Sequence, residues 1–253
     1  MAEIFTWKNS YADIYSYRYA PIAQEFLSLV VNPSLDALEA QLAVHENSDD
    51  PVSAFDISDL TELINKTRMA FCLSIQSIWE RQIRTYLHGC QSELKLNPFP
   101  VSNRRNANSV HSVLWGDELN SVFFKLRGIP LTLFASYEKL DLLQLVGNVC
   151  RHGDGDSSNR LWRLHPEFWR IHHNNGDNLA DRKAPSVEMM HIPRQLLSEF
   201  VDAICVFWDD MEYIYNESLS LKHHTVETKL AARWADPAKV MEFDGYRTAI
   251  TKK

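Results

Sequence analysis

SDLTELINKTRMAFCLSIQSIWERQIRTYLH, residues 58–88, decides the fold class. Leu60, Leu63, Ile64, Phe71, Ile75, Ile78, Trp79, Ile83, Tyr86 and Leu87 recur every three or four positions, the period of a single helix face. Neither Gly nor Pro interrupts the run, and Gly89 follows it where a C-cap belongs. The spacing predicts a long amphipathic helix over 58–88 that buries one face.

Working outward, the polar residues 45–53 (HENSDDPVS) read as a loop, and Pro33-Ser34 as a break and N-cap before a short helix through Leu35, Leu38 and Leu42. Downstream, residues 97–112 read as loop, with Arg104-Arg105 exposed. Asp117 is placed to cap a helix through Leu119, Val122, Phe123 and Leu126 that Gly128 and Pro130 stop. Ser136 is placed to cap a helix over 137–152 closed by Gly153. A short helix over 158–164 ends at Pro166, and 174–185 is polar loop. Pro193 opens a last long helix whose inner face holds Leu196, Leu197, Phe200, Val201, Ile204, Phe207, Trp208 and Met211. Beyond Lys222 the pattern weakens. No alternating strand run and no repeat is present, so the fold class is all-α. The reading is one helical domain over 1–253, its core about 58–215, with the N-terminal helices (1–48) and the tail (222–253) peripheral.

Hydrophobic residues make up 45% of the chain and charged residues 23%, enough for a packed core. The 12 Phe, 9 Tyr and 7 Trp argue against disorder. Met1 to Ser10 lacks a basic stretch followed by an apolar run, so no secretory signal is expected. No apolar run reaches the length of about 18 residues that a membrane span needs. Cys72, Cys90, Cys150 and Cys205 are scattered, which argues against a zinc site and for a reducing, cytoplasmic setting. The formal charge of −7 does not favour nucleic acid in bulk. Its distribution is uneven: residues 46–62 are acidic, whereas residues 151–173 hold four Arg and four His against Asp154, Asp156 and Glu167. A phosphate backbone would be met there.

The helix 137–152 is the candidate site. Leu140, Leu142, Leu143, Leu145, Val146, Val149 and Cys150 cover most of its surface, yet Asp141, Gln144, Asn148 and His152 form one polar stripe at steps of three or four. Unsatisfied buried polar groups cost about 1–3 kcal/mol each, so the stripe calls for a partner: another chain, water in a cleft, or a substrate. His152 lies in the last turn, where the helix dipole favours a cation, and can serve as a general acid or clamp a phosphate. Asn148 is placed to orient the ring or donate to a phosphate oxygen, and Arg151 adds permanent charge. Gly153 ends the helix abruptly and leaves the loop backbone approachable.

Other motifs carry less. Asp154-Gly155-Asp156 opens like a calcium loop, but Asn159 stands at its sixth position and His165 at its twelfth. His172-His173 has no ligand cluster beside it. Trp162 and Trp169 read as core or interface residues, and Glu80 with Arg84 as a surface i,i+4 pair.

The segment LLQLVGNVCRHGDGDSSNRLWRLHPEFW (142–169) resembles the HEPN superfamily of helical bundles, many of whose members are metal-independent ribonucleases of toxin–antitoxin and antiphage systems. Their signature is an Arg, often followed by Asn, with a His four to six residues after the Arg at the end of a bundle helix. Asn148 and His152 occupy matching places, the loop 153–157 is similar to that of bacterial relatives with Asn-x-x-Lys-His-Gly, and SIQSIWERQIRTYL (74–87) looks like the partner helix. The layout extends over about 58–208, but the specific part covers only about 25 residues. Leu145, Val146 and Gly147 stand where the family has its Arg; Arg151, beside His152, is the available substitute.

The resemblance implies a HEPN-like bundle of long antiparallel helices with extra peripheral ones. It implies a metal-independent endoribonuclease without cofactor, acting as a toxin or antiphage effector on RNA, with His152, Asn148 and Arg151 catalytic. Gln144, Gly153, Asp154, Arg160 and Arg163 would contact substrate. A homodimer, and an antitoxin or defence-system partner protein, are the expected associations, with no membrane. A non-catalytic HEPN-like module binding RNA or protein is the alternative, and a dimerising structural subunit a third.

Overall fold

The computed structural model describes residues 7–96, 98, 109–169 and 183–236. The protein is all-α: the elements are α1 (Ala12–Ser16), α2 (Tyr19–Phe26), α3 (Asn32–Glu46), α4 (Ser53–Leu94), α5 (Asp117–Arg127), α6 (Tyr137–His152), α7 (Asp156–Leu164), α8 (Arg194–Ser218) and α9 (His224–Trp234). Among the described residues the β structure is a single isolated bridge, Trp169 with Met190. Among them, too, no helix is long and apolar enough to cross a membrane. The chain packs as two compact units, one of residues 1–21, 80–138 and 204–253, the other of residues 22–79 and 139–203.

The long helix is longer than its periodicity predicts. α4 runs 42 residues, about 63 Å at about 1.5 Å per residue, and passes through Gly89 without stopping. Packing is tight at Gly89: a Cβ there would stand 3.1 Å from Ala12 Cβ. The break expected at Pro33-Ser34 is a π turn over Leu27–Val31 leading into α3, and Ser34 Oγ donates back to Val30 O at 2.6 Å instead of capping. Gly128 does end α5, in the left-handed region at φ 78°. Its N-cap is Gly116, with Asp117 already inside the helix. α6 has the predicted bounds, but Ser136 Oγ is buried without a hydrogen bond and is no side-chain cap. α9, in the weakly patterned tail, buries only Leu230. Arg104-Arg105 and His172-His173 lie outside the described residues.

In the first unit, Phe134 stacks tilted on Phe207 at 4.8 Å, and Tyr86 meets Trp208 edge-on at 5.5 Å. Trp208 Nε1 donates to buried Gln82 at 2.8 Å. Arg127 is fully buried; it grips both oxygens of Asp13 at 2.8 and 2.9 Å and lies over the Trp7 ring at 3.9 Å. Arg233 of α9 holds Asp209 and Asp210 of α8.

The second unit contains α3, the first part of α4, α6, α7 and the first part of α8. Glu39 of α3 joins Arg68 of α4 at 2.8 Å and Arg194 of α8 at 2.6 Å. Burial raises the Glu39 carboxyl, but the bonds to these two guanidinium groups outweigh it and hold the group below its ordinary value.

Candidate functional site

The predicted polar stripe on α6 exists, and most of its partners come from the chain itself. Gln76 of α4 is fully buried and lies against Gly147, where an added Cβ would be 2.3 Å from its Oε1. Its Nε2 donates to Asn148 Oδ1 at 3.3 Å, and its Oε1 accepts from Arg151 Nη2, also at 3.3 Å. One amide thus sets the orientation of both residues. A glycine inside a helix costs about 1 kcal/mol relative to alanine, and here it gives Gln76 its place. Asp141 accepts from Arg160 of α7 at 3.4 Å.

These contacts divide the predicted residues into two sets. Asn148, Arg151 and His152 lie together on the last turns of α6, with Asn148 half-buried and the Arg151 and His152 side chains exposed. Gly153 follows at φ 71° and donates its N–H to Val149 O at 2.9 Å, and a Cβ built on Gly153 or Gly155 would meet nothing within 4 Å among the described residues. That end is open. Gln144, by contrast, is buried at 5% exposure. Asp154 Oδ1 accepts from Val187 N at 2.7 Å, which anchors the 3-10 turn Val187–Met189. Asn159 does the same for Ala184 N at 2.9 Å. Arg163 turns back to Asn159 O at 3.2 Å. Asp154, Arg160 and Arg163 therefore have intramolecular roles already, although Arg160 and Arg163 remain exposed.

Electrostatics limit what the site can do. The last carbonyls of α6 carry negative partial charge, worth about 0.3–1 kcal/mol to a nearby cation, so Arg151 stabilises the helix end whatever else it does. A phosphate there would be bound against the dipole, and only side-chain cations could hold it. Clefts lined by Glu62, Asn65 and Glu188, and by Asp209, Glu212 and Arg233, contain none of the predicted residues. The candidate site is an exposed helix end. Among the described residues no group of three or more His, Cys, Asp or Glu is disposed to hold a metal ion.

Sequence reasoning missed Gln76. Its signal was available in two places: an amide beside Ile75 and Trp79 on the buried face of α4, and a glycine amid the Leu-Val run of α6. Trp162 and Trp169, read from the sequence as core or interface residues, are buried and meet edge-on at 5.5 Å. No family model, no curated protein and no solved structure matches the chain.

Proposed function

We propose that the end of α6 is the RNA-binding and cleaving site of a HEPN-like, metal-independent endoribonuclease, used as a toxin or antiphage effector. The observation that carries this reading is an exposed imidazole, His152, one helical turn beyond Asn148 and next to Arg151, at an open helix end. The HEPN-like segment suggests the reaction: the RNA 2′-hydroxyl loses its proton and attacks the adjacent 3′ phosphate, the P–O5′ bond breaks, and the 5′ oxygen leaves with a proton as a hydroxyl, giving a 2′,3′-cyclic phosphate. His152 moves the proton. Arg151 and the Asn148 amide oppose the charge that builds on the phosphate oxygens. Because the α6 dipole opposes an anion, the Arg151 guanidinium is indispensable, and a homodimer that faces two such ends across one cleft would double it.

A second reading is supported by a specific observation. Where the family has its Arg, this chain has Leu145, Val146 and Gly147, and the space at Gly147 is filled by Gln76. A module that binds RNA or protein without cleaving it accords with that departure. The purified protein, incubated with structured RNA in excess EDTA, separates the two. Cleavage with cyclic-phosphate ends that falls by about 100-fold or more in His152→Ala supports the enzyme. Salt-sensitive binding without cleavage supports the module, and cleavage indifferent to His152→Ala removes this site from the reaction.

A further inference from the structure

In the first unit, α1 has its polarity reversed. The residues it turns inward are polar: Asp13 and Ser16 are both buried. Those it turns outward are large and mostly apolar, with Tyr11 71%, Tyr15 65%, Tyr17 60% and Ile14 45% exposed. Tyr11 and Tyr17, which flank α1, keep helical backbone angles, so Tyr11, Ile14 and Tyr15 share one face at steps of three and four. Burial of apolar surface alone would favour the opposite orientation. A polar anchor imposes this one. Arg127 Nη2 donates to both Asp13 oxygens, the Tyr86 hydroxyl donates to Oδ1 at 2.6 Å, and Ser10 N–H donates to Oδ2 at 2.9 Å. Glu93 of α4 accepts from the Ser10 hydroxyl and from Tyr11 N–H. Rolling α1 over to hide its tyrosines would strip the fully buried Arg127 guanidinium of its carboxylate, which a buried charge tolerates poorly. Three tyrosines and an isoleucine are thus held in water by a fixed support.

We propose that this face of α1 is a self-association surface, on which a second copy of the chain lays its own α1 antiparallel about a two-fold axis. The area suffices. At these exposures a tyrosine offers about 150 Å². The four side chains together offer on the order of 500 Å² per copy, hence about 1,000 Å² for the pair, the size at which a specific interface begins. The composition fits as well, since interface centres are rich in tyrosine and poor in charge. Charge also selects this place. The chain carries −7, so two copies repel each other in general. Between Trp7 and Ala23, however, the sole carboxylate is Asp13, which is buried and paired with Arg127. Approach is least opposed here. At its two ends the face carries opposite charges: exposed Glu93 stands at the Tyr11 end, and exposed Arg18 follows Tyr17. An antiparallel pairing is isologous and turns each Arg18 toward the Glu93 of the other copy. The surface is independent of whether the α6 end cleaves RNA.

The test is sedimentation equilibrium of the full chain from about 1 to about 100 µM, beside the double variant Tyr11→Ser/Tyr15→Ser and the single variant Arg18→Glu. Wild type should pass from monomer to dimer within that range. The double variant should raise the dissociation constant by about 30-fold or more, as loss of central interface tyrosines does, and Arg18→Glu by about 5-fold. The changed side chains are exposed, so circular dichroism of the dilute variants should match that of wild type. In wild type alone, the same rise in concentration should shield Tyr11 and Tyr15 from nitration by tetranitromethane, read by peptide map. A dimer as tight in the double variant as in wild type places the interface elsewhere and overturns the proposal. So does a wild type that stays monomeric at about 100 µM. In such a monomer, shielded tyrosines mean that the chain covers its own face, and reactive ones leave the face to a different protein.

Discussion

Gly147→Ala probes how Gln76 is held. On an isolated helix the change stabilises by about 1 kcal/mol. Here the new Cβ would sit 2.3 Å from Gln76 Oε1, 2.5 Å from Cδ and 2.9 Å from Cγ. Gln76 is fully buried, so it yields only by giving up Asn148 and Arg151 or by pushing α6 away from α4. Either route costs about 1–3 kcal/mol, as an unsatisfied buried amide or as overpacking. The net expectation is destabilisation of up to about 2 kcal/mol. In a Gln76→Ala background the obstruction is absent, and the same change should stabilise by up to about 1 kcal/mol. The coupling between the two sites is then about 1–3 kcal/mol. Urea unfolding of the four proteins, followed by far-UV circular dichroism, measures it. An equal effect of Gly147→Ala in both backgrounds would refute the claim that Gln76 occupies the glycine's space.

Three further outcomes are expected. Burial pushes Asp210 up to about 6 despite its bond to Arg233, with Asp209 adding to the rise. The folded state therefore binds this proton more tightly than the unfolded chain. Its contribution is full below about pH 4 and is lost as pH climbs to about 6, on the order of 3 kcal/mol across the window; Asp210→Asn should flatten urea stability between those pH values. Arg127→Met leaves the Asp13 carboxylate buried without its cation and should cost about 3–5 kcal/mol in urea unfolding, whereas adding Asp13→Leu should recover part of it. His152→Ala removes an exposed side chain, so its thermal midpoint should stay within the change that about 0.5 kcal/mol produces, which lets any loss of RNA chemistry be read as functional.

The helices were legible where one stripe of large apolar residues did the work, as in α4 and α8. Their ends were legible only where the cap was local. Gly128 and Gly153 stop helices through their own positive φ, a property of the residue and its neighbours. Gly89 looked the same in sequence, yet it faces Ala12 across a tertiary contact and does not stop α4. Local pattern carries no information about such a contact. α9 was missed because a helix that buries only Leu230 has almost no apolar period to read.

The candidate site follows the same division. The spacing of Asn148, Arg151 and His152 followed from helix geometry alone, and their position at the end of α6 was fixed by Gly153. The argument that the stripe needed an outside partner was incomplete, because Gln76 and Arg160 come from elements distant in sequence. Pairings of this kind depend on which helix packs on which, a decision made by whole faces.

The reading that RNA meets the end of α6 is tested most directly at His152 itself. With histidine rings labelled with carbon-13 and the His152 signal assigned through His152→Gln, an RNA oligonucleotide is titrated in and each ring followed by NMR. Progressive, saturable, salt-sensitive movement of the His152 signal, with Arg151→Ala weakening the binding, is the expected result. RNA that binds while His152 stays still, or that moves no histidine at all, contradicts it.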